Sequence, residues 1–133
     1  MKKIALTLVT FLMVVMPVLS ENVTVQTAQR VAQSFLNSKM EGSPQIHLID
    51  FAEKAEFTNF YVFGNEHCFV IIAGDDAVQP VLGYSTECGI NAEPMPEAVY
   101  DWLRVYDKGI AFAKEKHIEK EREIQSEWES LLN

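Results

Sequence analysis

The chain has 133 residues, 48% of them hydrophobic and 23% charged, which suits one folded domain and argues against both a multidomain enzyme and a disordered chain. Eleven Lys and Arg stand against nineteen Asp and Glu, a formal net charge of −8 with no basic stripe, so nucleic acid is not expected as a partner. None of the six glycines falls in a GxGxxG or GxxxxGKS/T arrangement, which leaves no phosphate-cradling loop for a nucleotide enzyme.

The first twenty residues read as a secretory signal peptide. Lys2 and Lys3 make a positive start, residues 4–16 an apolar run, and Pro17 breaks it ahead of Val18 and Ser20 at the −3 and −1 positions of a cleavage site. The run is shorter than the roughly 20 residues that span a membrane, and no cysteine follows closely to accept a lipid. Cleavage after Ser20 removes two Lys and no acid, leaving a 113-residue chain of net charge −10. The expected location is the periplasm or the exterior, with no membrane contact once the leader is removed.

Residues 21–113 are expected to form the domain. Thr24 is placed to cap a helix whose apolar positions Val25, Ala28, Val31, Ala32, Phe35 and Leu36 recur at three and four, and Gly42, Ser43 and Pro44 punctuate its end. Residues 46–51 suggest a short first strand. Residues 59–63 and 68–73 are dense in aromatic and β-branched types, and Gly64, Asn65 and Glu66 between them suit an antiparallel hairpin. After Gly74, Asp75 and Asp76 the chain returns as a strand over 81–84. Prolines 94 and 96 then interrupt the backbone, and from Pro96 a long helix presents Val99, Trp102, Leu103, Tyr106, Ile110 and Ala113 on one face. The fold class is therefore α+β, an antiparallel sheet of about four strands packed against an N-terminal helix and a long C-terminal helix. Residues 114–133 form a charged helical extension with sparse apolar anchors, expected to dock weakly or to project.

No catalytic residue is assigned. On one strand, His67 and Cys68 would point to opposite faces and could not form a thiol–imidazole pair. His47, His67 and His117 lie on separate elements without ligand spacing, so no metal site and no cofactor is expected. Gly-Asp-Asp at 74–76 is ordinary turn chemistry. Cys68 and Cys88 flank one hairpin in an exported chain, so a disulfide between them and two free thiols are both open readings.

Several stretches together resemble a known family: FYVF at 60–63, FVIIAGDD at 69–76, PVLGYS at 80–85, MPEAVYDWL at 95–103 and the helix AQRVAQSFL at 28–36. In this order they are similar to the prodomain of streptopain-type cysteine peptidases, over roughly residues 23–112. Such zymogens continue into a peptidase domain, and no nucleophilic Cys and His of that kind follow here. The resemblance therefore implies a free-standing inhibitor that binds a streptopain-like cysteine peptidase and is monomeric when free. A prodomain that covers a cleft in cis can do so in trans if the complex is tight enough to replace the tether.

In the family the loop and helix start after the PVLGYS strand approach the active site, where an Asn can hold the catalytic His out of register. Ala98, preceded by Glu97, stands at the nearest equivalent position. Occlusion would then rest on steric bulk or on Glu97 meeting a cation, which marks Glu93, Pro94, Met95, Pro96, Glu97, Ala98 and Val99 as the inhibitory contact. Two other roles fit the same sequence. One is a non-inhibitory orphan prodomain that assists folding, and the other is a non-catalytic surface binding module.

Overall fold

The computed structural model describes residues 21–51, 57–91, 94–116 and 121–133. The predicted signal peptide lies outside these, as does Glu93. Helix α1 (Val25–Lys39) opens on Thr24, whose hydroxyl accepts the Thr27 N–H at 3.2 Å, so the cap expected from sequence is made. Ala28, Val31, Ala32 and Leu36 are its buried face. Beyond it Gly42 takes φ +75°, a left-handed conformation that glycine adopts without a Cβ penalty.

Strands β1 (His47–Leu48), β2 (Phe60–Gly64), β3 (Phe69–Ala73) and β4 (Val81–Ser85) form one antiparallel sheet in that order. β1 is shorter than expected: beyond Leu48 the pairing continues only as the Ile49 N–H to Val62 carbonyl bond at 2.8 Å. The β2–β3 turn is one residue later at each end than the composition suggested. Asn65 directs it, its Oδ1 accepting the N–H groups of His67 (2.7 Å) and Cys68 (3.1 Å). Gly64 is required here, since a Cβ would lie 2.3 Å from the Cys68 carbonyl oxygen. On the other side of β3, Ile71 opposes Gly83 whereas Ile72 opposes Val81, so Leu82 is an extra residue that bulges β4.

Alternate residues of a strand point to opposite faces, and here both faces are covered. Tyr61 and Tyr84 face α1: the Tyr61 hydroxyl donates to the Val23 carbonyl at 2.8 Å, and the Phe35 and Tyr84 rings meet edge-on at 4.8 Å. Phe60, Val62, Ile71 and Gly83 take the opposite parity and face helix α2 (Glu97–Glu115). Double coverage explains why β3 reads FVIIA without a polar residue and is buried almost throughout. Phe63, Leu36, Ile71, Ile72 and Leu103 are the largest fully enclosed side chains, each contributing about 1.5–3 kcal/mol of transfer free energy.

The C-terminal extension packs more closely than its composition suggested. Helix α3 (Arg122–Leu132) lies along α1, with the Arg30 guanidinium donating to the Leu132 carbonyl at 3.2 Å. Trp128 is 3% exposed, and its indole N–H donates to the Val78 carbonyl at 2.9 Å. One buried indole with a satisfied donor anchors a helix whose other positions are mostly charged.

Candidate functional site

Helix α2 is held along its length by three separate groups of contacts. Phe57 packs with tilted rings between Phe60 of β2 (centroids 5.2 Å) and Tyr100 of α2 (5.0 Å), joining the sheet to the first turns of the helix. Farther along, Asp107 Oδ1 accepts the backbone N–H groups of Thr58 (3.0 Å) and Asn59 (2.9 Å) and the Asn59 side-chain amide (3.2 Å). Lys114 completes the cluster by donating to Asn59 Oδ1 at 3.2 Å. On β4 the absent side chain of Gly83 makes room for the Trp102 ring, since a Cβ there would lie 3.1 Å from the indole edge.

Helix α2 begins at Glu97, one residue after the expected Pro96. Pro96 is instead the N-cap, and its carbonyl accepts the N–H groups of Val99 and Tyr100, both at 3.1 Å. Pro94, Pro96, Glu97 and Ala98 are exposed, while Met95 and Val99 are half-buried and pack against the core. The expected contact segment thus divides. Two residues seat it on the domain, and four face outward.

A feature the sequence reading missed continues from this segment. Ala98, Trp102, Val105, Gly109 and Phe112 recur at four, three, four and three, one stripe of a helix. Trp102 is 41% exposed, Val105 69% and Phe112 57%, a row of apolar groups leading away from the helix start. Beside it a groove of about 520 Å³ runs between α2 and α3, lined by Leu82, Val105, Tyr106, Ile110 and Ile124, with Glu123 and Glu127 from α3. From sequence Trp102 is indistinguishable from a core residue, and the spacing of Val105 and Phe112 does not say whether their stripe faces the core or solvent.

The cysteines come to the same end of the sheet, as the hairpin topology requires. The Gly89 N–H donates to the Glu66 carbonyl at 3.2 Å, which brings the irregular segment after Cys88 against the turn before Cys68. Both are free thiols in this structure: Cys68 is buried with Sγ 3.4 Å from Asn65 Oδ1, and Cys88 is exposed with Sγ 3.5 Å from Ser85 Oγ. His67 lies in the exposed turn and not on a strand, as sequence had suggested, while Cys68 beside it is buried. Among the described residues no group of three or more His, Cys, Asp or Glu is arranged to hold a metal ion, and no helix is long and apolar enough to cross a membrane.

Comparison with known proteins bears directly on this arrangement. The sequence profile described as Spi protease inhibitor matches residues 20–110, which takes in α1, the whole sheet and most of α2. The chain belongs to the Spi protease inhibitor family. A stretch of the thiol protease/hemagglutinin PrtT of Porphyromonas gingivalis is also similar, 31% identical over 117 residues. That match covers 81% of this chain but only 13% of the protease, so the chain spans a small part of its relative's length. No solved structure gives a significant match. Helix α3 lies beyond the residues that the family match covers.

Proposed function

We propose that this chain is an exported inhibitor of a streptopain-like cysteine peptidase, covering the enzyme's active-site cleft with the start of α2. The observation that carries this reading is the family membership over residues 20–110, since the matched region includes the exposed, proline-stiffened helix start. Chemistry supports a bound surface in place of a reaction. Pro94 and Pro96 restrict the segment and reduce the entropy lost when it enters a cleft. Glu97 offers a carboxylate to a cation on the enzyme, and Ala98 stands where the family's blocking Asn would be, so the block is steric. The apolar stripe through Trp102, Val105 and Phe112 extends the contact along the rim and supplies the aromatic and aliphatic area that interface centres favour.

A purified streptopain-like peptidase, titrated with the mature protein, should lose activity stoichiometrically and durably. Glu97→Ala combined with Ala98→Arg changes only exposed side chains and should weaken inhibition at least tenfold, equivalent to about 1.4 kcal/mol of binding. A doubly substituted protein that inhibits as well as the parent would place the blocking surface elsewhere.

The likeness to a stretch of a thiol protease favours one alternative, a folding assistant that binds a peptidase domain transiently without blocking it. Lasting inhibition at one-to-one stoichiometry excludes that role. Faster recovery of refolding peptidase, with full activity afterwards, would establish it.

A further inference from the structure

The residue that follows the predicted cleavage site is held in an unusual way. Residues 21–23 lie alongside 74–76 as a short antiparallel fragment, with Asn22 bridging Asp75. The Val23 N–H donates to the Gly74 carbonyl at 2.9 Å, and the Asp76 N–H to the Glu21 carbonyl at 3.1 Å. Val23 is buried and its carbonyl accepts the Tyr61 hydroxyl, which ties the fragment to the sheet. Within this frame the backbone nitrogen of Glu21 donates to Asp76 Oδ1 at 2.7 Å, a short bond of the charge-assisted kind. The groove around it is also lined by Glu129 of α3.

We infer that hydrolysis of the bond between Ser20 and Glu21 creates an α-amino group whose built-in receptor is the Asp76 carboxylate, so that removal of the leader adds an ion pair to the finished fold. The step consumes one water and a signal peptidase catalyses it. The peptide C–N bond breaks, Ser20 keeps the new carboxylate, and Glu21 keeps the nitrogen, which takes up a proton and is largely an ammonium at neutral pH. In the uncut chain that nitrogen is a neutral amide with one N–H to give. After cleavage it carries a full charge and further donors at a position already fixed by three surrounding hydrogen bonds. The carboxylates of Asp76 and Glu129, together with Glu21's own, make the surroundings favourable to a cation. A terminus one residue later would lose this contact, and one placed earlier would leave it a neutral amide bond without the ion pair. The geometry thus favours one cleavage position over its neighbours, whatever the protein binds afterwards. The inference rests on the leader being removed and not on peptidase inhibition.

Four preparations of residues 21–133 test it: the parent with a free amine, the parent N-terminally acetylated, and the Asp76→Asn protein in each of the same two forms. Acetylation restores the neutral amide N–H of the uncut chain, so it isolates the charge. The acetylated protein should melt about 2–5 °C below the free-amine protein, and Asp76→Asn should erase most of that gap. Equal melting temperatures for the free and acetylated forms, or an undiminished gap in the Asp76→Asn pair, would overturn the assignment. Intact mass of protein recovered from the export compartment provides a measurement independent of any variant. A mature chain beginning at Glu21 is expected, and one beginning anywhere else refutes it. Loss of peptidase inhibition in any preparation leaves this result unaffected, so the two readings fail separately.

Discussion

Asp107 is the group whose loss should reveal how α2 is held. Its Oδ1 accepts three hydrogen bonds, two of them from Asn59, which is only 8% exposed. Asp107→Ala removes the acceptor, orphaning the Asn59 backbone N–H in a site that water reaches poorly and leaving its side-chain amide only the long 3.4 Å bond to the residue 107 carbonyl. An unsatisfied buried donor costs about 1–3 kcal/mol, and bonds to a charged acceptor are worth about 1.5–3. The summed loss should be about 2–4 kcal/mol, a large fraction of the 5–15 kcal/mol typical of a domain. Asp107→Asn keeps one oxygen as acceptor and forfeits the charge, so it should cost about 1 kcal/mol. Urea unfolding reads both: the midpoint should fall in the order parent, Asn, Ala at unchanged m-value. If Asp107→Ala lies within about 0.5 kcal/mol of the parent, or if Asn is as damaging as Ala, the clamp does not hold the helix as described. Because the same helix carries the proposed contact segment, Asp107→Ala should also weaken peptidase inhibition below the unfolding midpoint.

Three further outcomes follow from particular contacts. Trp128→Ala should destabilise by about 3–5 kcal/mol, because it empties a buried site and orphans the Val78 carbonyl, and hydrogen exchange should show α3 released from α1. With both thiols free, a maleimide should label one cysteine rapidly in the native protein, at Cys88, and Cys68 only on unfolding; a native protein that takes up no label, and two labels only after reduction, would instead show a disulfide. Under the proposed export and inhibition, the net charge of −10 should steer the mature chain toward a basic rim on the peptidase, so the association rate should fall between low and high salt while dissociation changes little.

The helices and strands were legible because each carries a local signal. Thr24 ahead of a 3.6-residue apolar period announced α1, and the two β-branched, aromatic runs around residues 64–66 announced the hairpin. Prolines 94 and 96 marked the boundary of α2 to within a residue. These are properties of short windows, and the sequence states them wherever the chain folds. It determined the acidic charge, the leader-like start and the order of elements as well.

What packs against what was decided only in three dimensions. Composition presented residues 114–133 as a charged tail, yet Trp128 reaches across fifty residues to the Val78 carbonyl and makes that tail part of the fold. Asp107 looked like any solvated helix acid until the fold set it against amide groups 48 and 49 residues away. Trp102 shares the period of the core face, but the bare backbone of Gly83 admits the edge of its ring beside β4 while the residue stays 41% exposed. In each case the determining partner is distant in sequence, and period and propensity report only on residues a few positions apart. The outward stripe on α2 and the receptor for the Glu21 nitrogen belong to this second kind. Both exist because the sheet fixes the spacing between segments that the sequence leaves separate.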